Sequence, residues 1–75
     1  MSLSPSRLAL AHQRFLAQHP EVVSLLHSIT PRHASAVGLS VEAFQREELD
    51  RAIAREAKAK GVDSFALLVG YLADE

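Results

Sequence analysis

Four histidines, His12, His19, His27 and His33, are the side chains of this 75-residue sequence best suited to metal binding or proton transfer. A metal reading needs two or more of them within reach of one ion. His12 and His19 fall on one helical face but are seven residues apart, roughly 10 Å along a helix axis. Zn–N bonds are about 2 Å, so one ion does not bridge that gap. No HxxxH or HExxH spacing occurs, and His27 and His33 lie on either side of the helix break at Thr30-Pro31. Nucleophilic catalysis fares no better. There is no cysteine, no Gly-x-Ser-x-Gly elbow and no glycine-rich phosphate loop. Ser24, His27 and Ser28 are spaced to touch on a helix, yet no third group is placed to orient the imidazole. Most carboxylates sit a helical turn from a base. Glu48 and Glu56 border an apolar stripe, where a rim position is expected. The residue types therefore predict no catalytic site, no metal and no cofactor.

The chain is long enough for one domain, taken as residues 1–75. A domain of this size buries only about 60% of the surface its unfolded chain exposes, so its core is small. The lack of cysteine excludes disulfides and suits a reducing compartment, and a cytoplasmic location is expected. The longest strictly apolar run is Phe65-Ala66-Leu67-Leu68-Val69, far short of the roughly 20 residues that cross a bilayer. No membrane partner is expected. The net charge of -1 gives no overall positive field to hold nucleic acid.

The elements that would position these residues are helical. Ser4-Pro5-Ser6 opens a first helix, capped by Ser4 or Ser6 with Pro5 tolerated in its first turn. His19-Pro20 breaks it, and Pro20 starts a second helix whose Val22, Leu25, Leu26 and Ile29 follow the i, i+3, i+4, i+7 pattern. Thr30-Pro31 opens a short third helix that Gly38 terminates. Ser40 caps a long helix from about Val41 to Lys60, with Leu39 and Phe44 at hydrophobic-staple spacing. Its buried stripe is Val41, Leu49, Ala52, Ile53 and Ala57. Glu42/Arg46, Glu47/Arg51 and Glu56/Lys60 have the i, i+4 spacing of solvated ion pairs. Gly61 closes this helix, and Asp63 caps the last one. The fold class expected is all-α, a small bundle of four to five helices with no β-sheet.

Ala34-Ser35-Ala36-Val37-Gly38-Leu39-Ser40-Val41-Glu42-Ala43-Phe44 resembles the turn region of the helix-turn-helix family. The matching features are the small Ala, the turn Gly, an apolar residue after it, the Ser cap and an apolar residue in the second helix. The resemblance implies DNA reading from the start of the second helix. Ser40, Gln45 and Arg46 would then be the contacts. Arg7, Arg14, Arg32 and Arg46 against Glu21 and Glu42 leave residues 1–46 at +2. His33 replaces the usual large apolar residue, and Glu47, Glu48 and Asp50 follow the motif and repel phosphate. Val37, Leu39 and Val41 also alternate as the strand of a ribbon-helix-helix protein would, although Gly38 weakens a strand. Both DNA readings rank below a protein partner.

The last helix decides that ranking. Residues 64–73 carry no charge. Phe65, Leu68, Val69 and Leu72 form one face, expected to pack on the long helix. Leu67 and Tyr71 form another, with Gly70 permitting close backbone approach. A short helix that is apolar all round wants cover on most sides. The expectation is a non-enzymatic interaction or regulatory module that self-associates as a dimer through Leu67, Gly70 and Tyr71, with another protein as a further partner.

Overall fold

The structure, a computed structural model, describes residues 3–73. Five helices follow one another: α1 Pro5–Ala17, α2 Pro20–His27, α3 Pro31–Ala36, α4 Val41–Lys60 and α5 Ser64–Gly70. There is no strand among the described residues, so the fold is all-α as expected and the Val37–Val41 alternation is not a ribbon. Val37 and Leu39 instead flank a turn, and Val41 is the first residue of α4.

Each helix starts where its local chemistry dictates. Pro5, Pro20 and Pro31 occupy the first position of α1, α2 and α3, where the missing N–H costs nothing. Ser4, Thr30, Ser40 and Asp63 cap α1, α3, α4 and α5, each accepting a bond from the backbone N–H three residues on. Two helices end on left-handed glycines. Gly38 (φ 74°) and Gly61 (φ 72°) follow α3 and α4, and Leu39 and Val62 donate back to the Ala34 and Ala57 carbonyls at 2.9 and 3.0 Å. Both turns are Schellman closures, which use up terminal carbonyls of each helix.

The long α4 is the mast of the fold. It packs against α2, α3 and α5, while α1 packs against α2 and α5. The core comprises Ala11 and Phe15 of α1, Val22 of α2, Leu49, Ala52, Ile53 and Ala57 of α4, and Leu67, Leu68 and Leu72 at the end of the chain. Phe15 is its only fully buried large side chain among the described residues. Val41 is only half-buried rather than part of the stripe. The surface ion pairs of α4 also differ in register from expectation. Arg46 meets Asp50 and Arg51 meets Glu48, both at 3.2 Å, while Glu56/Lys60 forms at 3.7 Å as expected. Such exposed contacts are worth a few tenths of a kcal/mol, too little to fix a partner against its neighbours.

Candidate functional site

The face of α5 is decided by its two neighbours. With α4 on one side and α1 on the other, the helix turns Leu67, Leu68 and Leu72 inward, at 6%, 8% and 4% exposure. Tyr71 is half-buried, its ring edge-on to Phe15 at a centroid distance of 5.8 Å. The Tyr71 carbonyl accepts a 2.8 Å bond from Arg14 Nη1, which places a cation at the C-terminal end of α5. Leu67, expected to face a partner, is therefore a core residue of its own chain. The rival geometry, in which an N-terminal helix covers that side, is the one observed. Phe65 and Val69, expected to pack on α4, point outward instead.

The exposed residues of α5 are Ser64, Phe65, Ala66, Val69 and Gly70, with exposed Val62 just before the helix and Ala73 just after it. Val62, Phe65 and Val69 are three of the five large apolar residues left exposed among the described residues, at 43%, 39% and 41%. They stand at three- and four-residue steps and form one strip without a charge. Beside this ridge lies a shallow groove of about 400 Å³, lined by Val62, Ala66, Leu67, Gly70 and Tyr71 with Gln18 and Lys60. The expected interface residues Leu67, Gly70 and Tyr71 are thus brought together, but as the lining of a groove rather than as a projecting face. Nothing approaches within 4 Å of the place a Cβ would take at Gly70, so the backbone there is open.

The residues of the DNA reading are placed otherwise. The α3–turn–α4 unit does form, with Ala34 buried at its elbow. Its candidate contacts, however, have other partners. Ser40 Oγ accepts from the Ala43 N–H, Gln45 Nε2 donates to the Leu26 carbonyl at 3.1 Å, and Arg46 Nε donates to Asp50. Gln45 in particular adds a side-chain donor to a terminal carbonyl of α2, which also accepts from the Ile29 N–H at 3.3 Å.

The histidines do not converge. No group of three or more His, Cys, Asp or Glu able to hold a metal occurs among the described residues. His12 lies beside α4. Burial lowers its pKa, the Arg46 guanidinium lowers it further, and Asp50 opposes both. His27 and His33 are exposed, and Ser28 Oγ donates to the Leu25 carbonyl rather than to His27. Glu48 and Glu56 sit at the rim of the stripe as expected, with side-chain exposures of 17% and 29%.

One cluster was not legible in the sequence. His19 stacks on Phe15 with ring centroids 4.2 Å apart and planes 17° from parallel. Its Nδ1 lies 2.8 Å from the Phe15 carbonyl and its Nε2 lies 3.1 Å from Glu56 Oε2, so α1, α2 and α4 meet at this ring. An open groove of about 370 Å³ adjoins it, lined largely by Phe15, Val22, Leu25, Ala52 and Ala59, with Glu21, Arg55 and Glu56. Both ring nitrogens are engaged, which leaves neither free to take a proton from a substrate. Residues 19 and 56 are too far apart in sequence for any spacing rule to join them.

A sequence model of one family matches residues 1–75. The chain belongs to the family of unknown function DUF6388. No curated protein and no solved structure matches it. The functional reading of this DUF6388 chain therefore rests on its own surfaces. No helix among its described residues is long and apolar enough to cross a membrane.

Proposed function

We propose that this DUF6388 chain is a non-enzymatic interaction module that pairs with a second copy of itself through the outer face of α5. The observation that carries the reading is the uncharged strip Val62, Phe65 and Val69, left exposed after α5 and the turn behind it have already given Leu67, Leu68 and Leu72 to the core. Two features favour a second copy as the occupant. The strip and the groove lie side by side on one short helix, so a twofold axis seats each copy's ridge in the other's groove. Gly70 and Ala66 let the two helices approach closely there. Tyr71 and Leu67 then line the receiving groove rather than project into it. A cytoplasmic location belongs to the same proposal and rests on the absence of cysteine.

Sedimentation equilibrium of the whole chain is the test. A concentration-dependent rise from monomer to dimer mass supports the proposal, and a monomer at about 100 μM, a concentration matching only about -5.5 kcal/mol of binding, ends it. A duplex DNA titration is the companion measurement, because a DNA reader binds with steep salt dependence. The engagement of Ser40, Gln45 and Arg46 within the fold speaks for the protein partner over DNA.

A further inference from the structure

His19 has two neighbours that can only accept hydrogen bonds. Nδ1 faces the Phe15 carbonyl oxygen at 2.8 Å, and Nε2 faces the Glu56 carboxylate at 3.1 Å. A neutral imidazole carries one N–H and one lone pair, so it satisfies one of these oxygens and turns a lone pair on the other. Only the imidazolium, with two N–H groups, donates to both. We propose that His19 is held as the imidazolium and that loss of its proton unlatches the α1–α2 elbow from α4.

The surroundings of the ring agree with a cation. The imidazole stands at the C-terminal end of α1, where the helix dipole favours positive charge, and it takes the place of the next helical turn by binding a terminal carbonyl. It is also the N-cap residue of α2, where the dipole disfavours a cation, and Glu21 in the first turn of α2 offsets that. From α4 come Glu56 and the nearby cations Arg55 and Lys60. Lys60 Nζ lies 3.7 Å from the other Glu56 oxygen, Oε1, so Glu56 is shared between the two. Burial alone disfavours the charged ring. The Phe15 carbonyl, the Glu56 carboxylate and Glu21 outweigh it, and the pKa is raised above the ordinary 6.5. Stability from this contact is thus fully present below pH 6.5 and is lost as pH rises through the raised folded value. Once neutral, His19 keeps one bond and gives up the other. At the elbow itself the hold on the core is Val22, the one buried residue of α2, while Leu26 and the Gln45 bond to its carbonyl secure the far end of that helix. The groove lined by Phe15, Val22 and Ala52 opens as a result.

The experiment is a pH titration of the intact chain with ¹⁵N-labelled histidine, read by NMR, together with amide exchange in the first turn of α2. At about pH 6 both His19 nitrogens should be protonated, and the midpoint should lie above the reference of about 6.5. Glu56→Gln, at a half-exposed site that does not endanger folding, should move the midpoint down toward that reference. The Val22 and Val23 amides, which donate to the His19 carbonyl at 2.9 and 3.3 Å, should lose protection as His19 deprotonates, after correction for the chemical exchange rate. A single N–H on His19 at about pH 6, or a midpoint unmoved by Glu56→Gln, overturns the imidazolium. Protection of Val22 and Val23 that is constant across the titration overturns the unlatching.

Discussion

Replacing Val69 by lysine and Leu67 by alanine separates the two faces of α5, because the first should break the dimer and the second the fold. Val69 is 41% exposed, so a partner would cover about two-fifths of its surface. Full burial of such a side chain is worth roughly 1.5–3 kcal/mol, which makes this share about 0.6–1.2 kcal/mol per copy. The twofold axis counts it twice, giving about 1.2–2.5 kcal/mol, or a roughly eight- to seventyfold rise in Kd before the desolvation of two ammonium groups is added. The lysine stem still covers the part of the helix that Val69 covers, and its head reaches water in the monomer. The fold should therefore hold. Leu67, at 6% exposure, behaves oppositely. Its truncation leaves a cavity in the core and costs about 2–5 kcal/mol. A 75-residue domain has a total of only about 4–11 kcal/mol to lose. Sedimentation velocity and a circular dichroism melt on the same samples read both effects. The reasoning fails if Val69→Lys dimerises like the wild type, or if Leu67→Ala melts at the wild-type temperature.

Gly70→Ala should raise helix stability by up to about 1 kcal/mol, since its Cβ enters open space, yet weaken self-association, and comparing melting with sedimentation checks both. Gly61→Ala should destabilise by about 1 kcal/mol in urea titration, because its φ of 72° is costly for any residue with a Cβ. Arg14→Gln removes the bond to the Tyr71 carbonyl and should cost about 1.5–3 kcal/mol in the same assay. His12 has the opposite pH sign to His19. Its lowered pKa makes its contribution complete above the ordinary 6.5 and lost as pH falls through the folded value, so His12→Gln should flatten the acid limb of a stability profile.

The helix boundaries were legible because the signals that set them are local. Proline at the first position, a capping side chain three residues from the N–H it binds, and a left-handed glycine each act within one turn. The rotation of α5 was not legible for a physical reason. With no charge between residues 64 and 73, every face of that helix is acceptable to a core, and periodicity carries no preference. The choice is made by α1, through Phe15 and the Arg14 bond to Tyr71, across 57 residues of sequence. The same holds for His19 and Glu56, 37 residues apart. Their spacing carries no signal. A histidine directly before a helix-starting proline does mark a ring held at a helix junction, which is the one local hint the sequence offered.

The four buried alanines, Ala11, Ala34, Ala52 and Ala57, have a consequence for how sequences of this family can drift. At 0%, 1%, 8% and 2% exposure they are shut off from solvent, and at 11, 34 and 57, which line neither groove, a larger side chain must displace its neighbours. Overpacking at such sites costs about 1–3 kcal/mol, while exchange of one large aliphatic for another costs under about 1.5 kcal/mol. Diverging family members should therefore trade leucine, isoleucine and methionine freely at positions 49, 53, 67, 68 and 72. They should keep glycine, alanine or serine at 11, 34 and 57, with more latitude at 52 beside the open groove, so that the small positions, rather than the large ones, are the durable signature of the fold.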